Sequence, residues 1–501
     1  MTDESIGYGK QLKIERIINQ SVSSFQRKFN KLGRISQVII TVFTGLLTIC
    51  LNIMYWILIY YLIFNLVLFI LPHADDGGMQ SKPSPFIKST SPILNQSIDI
   101  LNQNSNYYTL NGTGFKFTQP SLYKYGKFQW LWDSSAAIIT QINFNQSDAI
   151  LEFQTLLKSQ LPDGRIPQTN DKLNSIAMDR TQIPAIVYAL QSIYQKTGDR
   201  KFLNESVYKV ANYLDWFRLN RDFEKNGLVS ILHPWESGLD ASPAYDAVWN
   251  FKPFNDVLDF VPYYVNFYLL NWSYSKYDNF TQLFSRKKAE FSLIPNWFVV
   301  QDIAVNSVYS AGWEIVSKLV LELNDTAKSA EYLKYYQDSS NAIQTLLWDK
   351  DLKRFVTRYI DPNGIPQYSN VQTIQSLFPL LLSNLTDIQK TSLIDDTKNP
   401  DKFWTNYPFP SVSKLEPTFT PKYYVNLMWR GPSWGFTNWF VLTGLQKHGR
   451  MDLVKEAVER WNKALDGYGI WEMWNPETGV GYGTYGLGMS TVIADWILKI
   501  R

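Results

Sequence analysis

Two neighbouring amphipathic segments decide the fold: residues 181–197, TQIPAIVYALQSIYQKT, and residues 205–221, ESVYKVANYLDWFRLNR. In both, apolar residues recur at the spacing that places them on one face of an α-helix. Segments 147–160, 301–322, 326–347, 432–448 and 451–465 repeat this pattern and are joined by loops rich in Trp, Gly, Pro and Asn. Helices paired in this way indicate an all-α toroid or solenoid rather than an alternating α/β sheet.

The composition excludes several classes of protein. With 501 residues, 45% hydrophobic and 15% aromatic, the chain can bury a large core and is not disordered or fibrous. Its net charge of only +3 disfavours nucleic acid as a partner. One cysteine, Cys50, and three scattered histidines cannot build a disulfide or a His- or thiolate-based metal centre. We therefore expect no metal and no cofactor, and catalysis by carboxylates.

The N-terminal region predicts a membrane anchor. No charged residue lies between Arg34 and Asp75, and the run is too long and too far from Met1 for a cleaved signal peptide. Basic residues precede it and acidic residues follow it, which predicts a single-pass type II protein with a cytoplasmic N-terminus. The rest of the chain would then face the secretory-pathway lumen or the cell exterior as a glycoprotein. A tight two-helix hairpin is the alternative for this run.

The predicted organisation has four parts. Residues 1–34 form a cytoplasmic tail, 35–72 the transmembrane anchor, 73–110 a stalk or linker, and 111–501 one catalytic domain. The linker is assigned because residues 77–104 are rich in Ser, Pro, Asn and Gly and lack helical periodicity.

Chemistry is expected in loop segments that combine aromatic and charged residues. Sugars present hydroxyls at the ring edge and C–H groups on the faces, so a sugar site needs aromatic platforms beside polar side chains. Hydrolysis also needs one carboxylic acid and a second carboxylate on the opposite face, and Asp240 and Glu472 are candidates for that pair. The segments are Trp130-Leu-Trp-Asp133, Asp163-Gly-Arg-Ile-Pro167, Trp235-Glu-Ser-Gly-Leu-Asp240, Trp429-Arg-Gly-Pro-Ser-Trp434 and Trp471-Glu-Met-Trp-Asn-Pro-Glu-Thr-Gly479.

Each segment also has a purely structural interpretation. Trp132 and Trp434 could be core aromatics, and Asp133 could be a helix N-cap. Asp240 could be a surface charge, and Arg430 could be one half of a structural salt bridge.

The amino-acid sequences of these segments, and their order along the chain, favour the functional interpretation. Residues 122–500 resemble family-63 glycoside hydrolases, especially their compact members, the mannosylglycerate and glucosylglycerate hydrolases. The matching segments are Trp130-Leu-Trp-Asp-Ser134, Gln182-Ile-Pro184, Glu236-Ser-Gly-Leu-Asp-Ala-Ser-Pro243, Trp429-Arg-Gly-Pro-Ser-Trp434 and Glu472-Met-Trp-Asn-Pro-Glu-Thr-Gly479.

The resemblance implies an (α/α)6 barrel and an inverting mechanism without a metal in the chemical step. It implies that Asp240 is the general acid and Glu472 the general base, with Glu236 fixing the loop. The residues that it places around the cleaved sugar are Trp132, Asp133, Gln182, Trp235, Gly238, Trp429, Arg430 and Trp434.

Two departures from the family pattern bear on the substrate. Ala241 and Ala244 stand near Asp240 where relatives often carry polar or basic residues, so the leaving-group side of the site is expected to differ. A small α-glucoside or α-mannoside such as a sugar-glycerate is the expected carbohydrate substrate. A luminal processing α-glucosidase acting on glucosylated N-glycans is one alternative, and a catalytically inactive carbohydrate-binding membrane protein is another.

Overall fold

The computed structural model describes residues 93–171, 174–175, 180–252, 297–422 and 428–500, with three isolated positions nearer the N-terminus. The chain divides into two compact units, Met1–His73 and Ala74–Arg501, and the fold described below is that of the second unit.

Helices dominate the described part of this unit. The α-helices are α1 (Ile93–Asn104), α2 (Leu131–Gln141), α3 (Gln146–Lys158), α4 (Ile186–Thr197), α5 (Arg200–Arg221), α6 (Ile303–Glu322), α7 (Thr326–Leu346), α8 (Asp387–Lys398), α9 (Gly435–Lys447), α10 (Met451–Tyr468) and α11 (Ile493–Ile500). The short 3-10 helices are η1 (Pro234–Glu236), η2 (Pro243–Trp249), η3 (Ile374–Leu381) and η4 (Gly488–Val492), the last running directly into α11.

Six inner elements of the described region form a closed ring. Helix α2 contacts α4, α4 contacts α6, α6 contacts η3, η3 contacts α9, α9 contacts η4, and η4 returns to α2. Around this ring, α1, α3, α5, α7, α8 and α10 each lie against one or two inner elements. Inner and outer elements alternate along the chain, because each helix buries its apolar face against the partner that follows it.

The all-α prediction needs a correction, because the described residues also form short antiparallel strands in five small sheets. Segments rich in Trp, Gly and Asn make ribbons at the ends of the helices rather than irregular loops. The strands are β1 (Ser105–Leu110), β2 (Thr113–Thr118), β3 (Gln129–Trp130), β4 (Thr169–Asp171), β5 (Asn174–Ser175), β6 (Val300–Gln301), β7 (Trp348–Asp349), β8 (Arg354–Phe355), β9 (Thr357–Ile360), β10 (Pro366–Ser369), β11 (Trp471–Trp474) and β12 (Gly481–Tyr485). Sheet neighbours are β1-β2, β3-β4-β5, β10-β9-β6, β7-β8 and β11-β12.

Two helix starts differ from their predicted positions for local reasons. Helix α4 begins at Ile186 rather than at residue 181, because Pro184 precedes it and the side chain of Gln182 is used elsewhere. Helix α5 begins at Arg200 rather than at residue 205, because Asp199 caps it by accepting a hydrogen bond from Phe202 N at 3.0 Å.

The prediction of a membrane anchor was wrong. No helix in the described part of the chain has both the length and the apolar character needed to cross a membrane. Residues 35–72 lie outside that part, apart from Tyr55. The N-terminal membrane anchor, the signal-anchor and type II assignment, and the luminal or extracellular location that depended on them are not supported and are not retained.

Part of the predicted linker, residues 73–110, belongs to the folded domain. Helix α1 packs against α2 and η4, and β1 pairs with β2. Asn104, at the end of α1, donates a hydrogen bond to the Gly486 carbonyl at 2.9 Å. The folded domain therefore begins at Ile93 or before it.

Candidate active site

The loop that carries Asp240 is fixed from behind by Glu236. Both Glu236 oxygens accept hydrogen bonds from Arg221 at 2.7 Å, and Oε2 also accepts from Leu232 N at 2.8 Å. Glu236 is fully buried, and its carboxylate is paired with the Arg221 guanidinium. These contacts hold Glu236 in a position that fixes the loop, and the charges of Glu472 and Asp240 affect each other.

Gly238 brings the same loop against an aromatic ring. Its φ of 74° lies in the left-handed region, and a Cβ at this position would stand 3.3 Å from the Trp132 indole. Trp132 N donates to Gln182 Oε1 at 3.0 Å, and its ring packs on Phe436 with centroids 4.4 Å apart. Gly238, Trp132 and Gln182 therefore lie together.

A buried hydrogen-bond network fixes the chain that follows Asp240. Ser242 Oγ donates to Gln375 Oε1 at 2.5 Å, and Tyr245 OH donates to Asp302 Oδ2 at 2.9 Å. Gln375 Nε2 donates to both Tyr245 OH, at 3.1 Å, and Asp302. The acid loop is thus fastened to η3 and to the start of α6, two elements of the inner ring.

The surroundings of Asp240 favour the protonated carboxyl. Burial raises the pKa of Asp240 to about 7, while Lys124 opposes the rise and the charge of Glu472 adds to it. A carboxylic acid that keeps its proton near neutral pH can donate that proton to a leaving oxygen.

Glu472 has hydrogen-bond donors around its carboxylate. It lies on β11 and is fully buried, and its Oε2 accepts a hydrogen bond from Thr484 N on the paired strand β12 at 2.9 Å. Gly483, with a φ of 77°, passes so close that a Cβ there would stand 2.8 Å from the Cβ of Glu472. Only glycine leaves room for this carboxylate against its neighbouring strand.

Two residues that sequence reasoning missed complete the surroundings of Glu472. Lys124 Nζ donates to Oε1 at 3.1 Å and to Oε2 at 3.0 Å, and Tyr125 OH donates to Oε1. Burial raises the pKa of Tyr125 well above its ordinary value, so its hydroxyl remains a donor. Both residues are in the β2–β3 connection, and their only sequence signal was a Lys-Tyr pair shortly before Trp130.

Asp133 is a third acid of the site and is not a helix cap. Helix α2 begins at Leu131 with Trp130 at the N-cap position, which places Asp133 inside the first turn. Burial, with a smaller contribution from the charges of Glu472 and Asp240, raises the pKa of Asp133 to about 7. Within the described residues its carboxyl has no hydrogen-bond partner on another residue, so it is available to a ligand.

The aromatic platforms occupy two places. Trp429 and Trp434 stack with ring centroids 3.9 Å apart and an interplanar angle of 10°, and Trp434 Nε1 donates to Met428 O at 2.9 Å. Trp235 lies between His233, at a centroid distance of 4.9 Å, and the Arg180 guanidinium, 4.7 Å from its ring.

Backbone hydrogen bonds join two pairs of segments that lie far apart in the sequence. Ser433 and Trp474 exchange hydrogen bonds of 2.8 and 2.9 Å, which connects the Trp429 segment to the strand of Glu472. Ile183 N donates to Glu236 O at 2.8 Å, which connects the Gln182 segment to the acid loop. The Asp163 segment differs, since the Asp163 carboxylate accepts from Trp216 Nε1 of the outer helix α5.

Arg430 is enclosed in an ion pair with Asp246, a residue that the sequence analysis did not single out. Its two terminal nitrogens donate to Asp246 at 2.9 and 2.5 Å, and both side chains are buried. Burial raises the pKa of Asp246 to about 6 against the opposing effect of Arg430. The pair ties the Trp429 segment to η2, directly after the acid loop.

Breaking this pair is expected to destabilise the protein. Removing one partner of a buried ion pair leaves an uncompensated charge, which typically costs about 3–5 kcal/mol of the free energy of unfolding. We expect that loss for Arg430→Met in urea unfolding, and a smaller loss for the double variant Arg430→Met/Asp246→Asn, which leaves no buried charge. Equal losses in the single and double variants would contradict the assignment of a coupled pair.

An acid with a raised pKa, a hydrogen-bonded carboxylate and aromatic side chains on an alternating helical ring are features that a carboxylate-dependent glycoside hydrolase needs. Residues 126–489 match the family described as the mannosylglycerate hydrolase MGH1-like glycoside hydrolase domain. The chain belongs to this family, within the family-63 glycoside hydrolases, and is a glycoside hydrolase.

Individual relatives are similar over most of their length. The mannosylglycerate hydrolase of Rubrobacter radiotolerans is 23% identical over 446 residues, covering 79% of this chain and 96% of that protein. The mannosylglycerate hydrolase of Thermus thermophilus is 27% identical over 422 residues, covering 75% and 95%. A crystal structure of the GH63 mannosylglycerate hydrolase from Thermus thermophilus in complex with Tris and D-glycerate shares the fold. It has a TM-score of 0.65 and 24% identity, over 81% of this chain and 100% of that one.

Proposed function

We propose that the protein is an inverting α-glycosidase that hydrolyses a small α-glucoside or α-mannoside, with a sugar-glycerate as the favoured type of substrate. The observation that carries the proposal is the contrast between two carboxyls of one site. Burial favours the protonated form of Asp240, whereas a lysine, a tyrosine and a backbone N–H donate to Glu472. The names of the relatives support the type of substrate.

In the proposed reaction Asp240 donates its proton to the glycosidic oxygen as the bond to the anomeric carbon breaks. Glu472 accepts a proton from a water molecule that attacks the same carbon from the opposite face. An inverting pair needs about 6.5–9.5 Å between its carboxyl groups to admit that water, against about 5–5.5 Å for a retaining pair. The released sugar then has the opposite anomeric configuration to the substrate.

The pocket residues are assigned from their surroundings. Asp133 is proposed to accept a hydroxyl hydrogen bond, because its carboxyl has no partner on another described residue. Arg430 is proposed to act mainly by holding Trp429 beside the acid loop, because Asp246 binds its terminal nitrogens. The remaining proposed sugar contacts are those of Trp132, Gln182, Trp235, Gly238, Trp429 and Trp434.

The alternatives carry less support. An inactive carbohydrate-binding protein does not fit membership of a hydrolase family, nor the retention of an acid and a base in contrasting surroundings. The N-glycan-processing alternative depended on the membrane anchor, which is not retained.

A substrate panel tests the proposal directly. The full chain is incubated with α-glucosides, α-mannosides, both sugar-glycerates and a glucosylated glycan, and the first-formed anomer is identified by proton NMR. We expect a sugar-glycerate to be hydrolysed with inversion. Hydrolysis with retention would overturn the mechanism, and selective release from the glycan would overturn the substrate assignment.

Asp133→Ala is expected to lose activity without losing stability. Leaving a buried hydroxyl of the bound sugar without its charged partner costs about 1–3 kcal/mol or more, which lowers kcat/KM by roughly ten- to a hundredfold. Asp133 is not a helix cap, so the melting temperature should not fall. Unchanged kcat/KM on the best substrate would show that Asp133 does not contact the sugar.

The alkaline limb of the pH profile is expected near the raised pKa of Asp240. Since the pKa is about 7, Asp240 loses its proton as the pH rises through 7, and kcat/KM should fall there. Asp133 has a similar pKa and interacts with Asp240, so the limb belongs to both acids. An alkaline limb that survives unchanged in Asp240→Asn would contradict this assignment.

The same shift has a consequence for stability. A carboxyl whose folded-state pKa is raised contributes stability that is complete below its ordinary pKa and is lost as the pH rises through 7. Asp240→Asn should therefore raise the melting temperature more at pH 8 than at pH 5.

A further inference from the structure

All the lone pairs of Glu472 are engaged in this structure. A carboxylate offers about four hydrogen-bond acceptor sites. Oε1 accepts from Lys124 Nζ at 3.1 Å and from Tyr125 OH, while Oε2 accepts from Lys124 Nζ at 3.0 Å and from Thr484 N at 2.9 Å. A general base must accept a proton from water, so one donor has to leave Glu472 before it can act.

Lys124 is the donor that can leave. Thr484 N is part of the β11–β12 ribbon, and the Tyr125 ring packs edge-on against Trp130 at 6.3 Å. The Lys124 side chain is 35% exposed, and it follows Tyr123, which is 80% exposed. Lys124 also has a flexible four-carbon stem, so its ammonium can move while the backbone stays in place.

The backbone of the connection is fastened at Lys124 and in the residues just before it. Ser121 Oγ accepts a hydrogen bond from Lys124 N at 2.9 Å and another from Thr484 Oγ1 at 3.3 Å. Gly488 N donates to Pro120 O at 2.8 Å. The movement required is therefore that of one side chain.

The ammonium needs a new anion when it leaves Glu472. Asp133 and Asp240 carry only part of a negative charge near neutral pH, because burial raises the pKa of each to about 7. The charge of Lys124 lowers the pKa of Asp240, the proposed donor to the leaving oxygen. The long lysine side chain can turn its ammonium from Glu472 toward that side of the site. An anionic group on the leaving portion of the substrate would meet it there.

We infer that Lys124 is a specificity-determining residue that moves from Glu472 in the free enzyme to an anionic group of the leaving portion in the substrate complex. The negative charge of the substrate thereby frees the base that hydrolyses it. Lys124 keeps its three protons throughout: the proton of Asp240 goes to the leaving oxygen, and the proton of water goes to Glu472. The inference rests on the proposed function, which supplies the sugar and the reaction.

The test compares two substrates that differ in one charge, an α-glycosyl glycerate and the matching α-glycosyl glycerol. We expect wild type to prefer the glycerate. In Lys124→Met, kcat/KM for the glycerate should fall by about tenfold or more, since a charge-assisted hydrogen bond is lost. The loss on the glycerol substrate should be far smaller than on the glycerate, because no charge on the leaving portion goes unpaired and the base is free. Lys127→Met, at an exposed lysine of the same connection, is the control and should change neither rate.

An equal loss on both substrates would overturn the inference, since a residue that merely supports the site would act on both alike. Lys124→Gln, followed by thermal unfolding, serves if the methionine variant does not fold. If wild type hydrolyses neither glycoside, the sugar-glycerate proposal fails, and the uncharged α-glucosyl and α-mannosyl fluorides decide the inference. Faster fluoride hydrolysis by Lys124→Met than by wild type supports release of the base, and slower hydrolysis overturns it.

Discussion

Asp240→Asn is expected to reduce kcat for a glycoside by about 10²–10⁴-fold, the usual contribution of a general acid. The amide has nearly the shape of the carboxyl but cannot donate a proton to the leaving oxygen. Because Glu236, Ser242 and Tyr245 hold the loop, the variant should fold and bind substrate as wild type does. The effect should therefore fall on kcat and leave KM almost unchanged.

A substrate whose leaving group needs no proton separates the loss of the acid from damage to the site. We expect Asp240→Asn to hydrolyse the α-glycosyl fluoride of the correct sugar far better, relative to wild type, than it hydrolyses the glycoside. Asp246→Asn, in the helical turn that follows the acid loop, tests the selectivity of that rescue, because its defect should be in stability and affect both substrates alike. Equal losses of Asp240→Asn on the fluoride and on the glycoside would exclude Asp240 as the acid.

Glu472→Gln should lose activity by a similar factor, about 10²–10⁴-fold, on the fluoride as well as on the glycoside. Activation of water is needed with either leaving group, so the fluoride cannot compensate. Glutamine also keeps the space between β11 and Gly483 filled, which should preserve the fold. Rates on both substrates and the melting temperature measure these expectations.

Glu477→Gln provides the matched control for this variant. Glu477 belongs to the same sequence segment, but its half-exposed carboxylate pairs with Lys414 at 3.4 Å. A surface pair of this kind contributes little, so the control should retain wild-type kinetics. Substantial recovery of Glu472→Gln on the fluoride would show that Glu472 acts on the leaving group, and the two roles would have to be exchanged.

The sequence contained the helical pattern and the residue types of the site. Amphipathic spacing is a local property, so most of the predicted helices begin and end within a few residues of the observed ones. The starts of α4 and α5 differ more, because Pro184 and the tertiary use of Gln182 delay the first and the Asp199 cap advances the second. Short ribbons such as β11–β12 were not predicted, because the strands are too short to show alternation.

The N-terminal run shows the limit of inference from composition. A long uncharged stretch gave the predicted anchor, yet no described helix is suited to cross a membrane and residues 35–72 lie, but for Tyr55, outside the described chain. Composition supplied only a requirement for apolar surroundings, which several arrangements of a chain can satisfy.

By itself, the sequence determined the family, the alternating helices and the two carboxyls proposed for the chemistry, because these depend on residue types and their local spacing. Tertiary structure alone decided the partners of those residues. Lys124 meets Glu472 across 348 positions of the chain, and Asp246 meets Arg430 across 184. Neither pair has a local signal, since any of the chain's 48 basic residues could in principle oppose any of its 45 acidic ones. Closure of the inner ring selects the pairs, and burial within it shifts the pKa values of Asp133, Asp240 and Asp246.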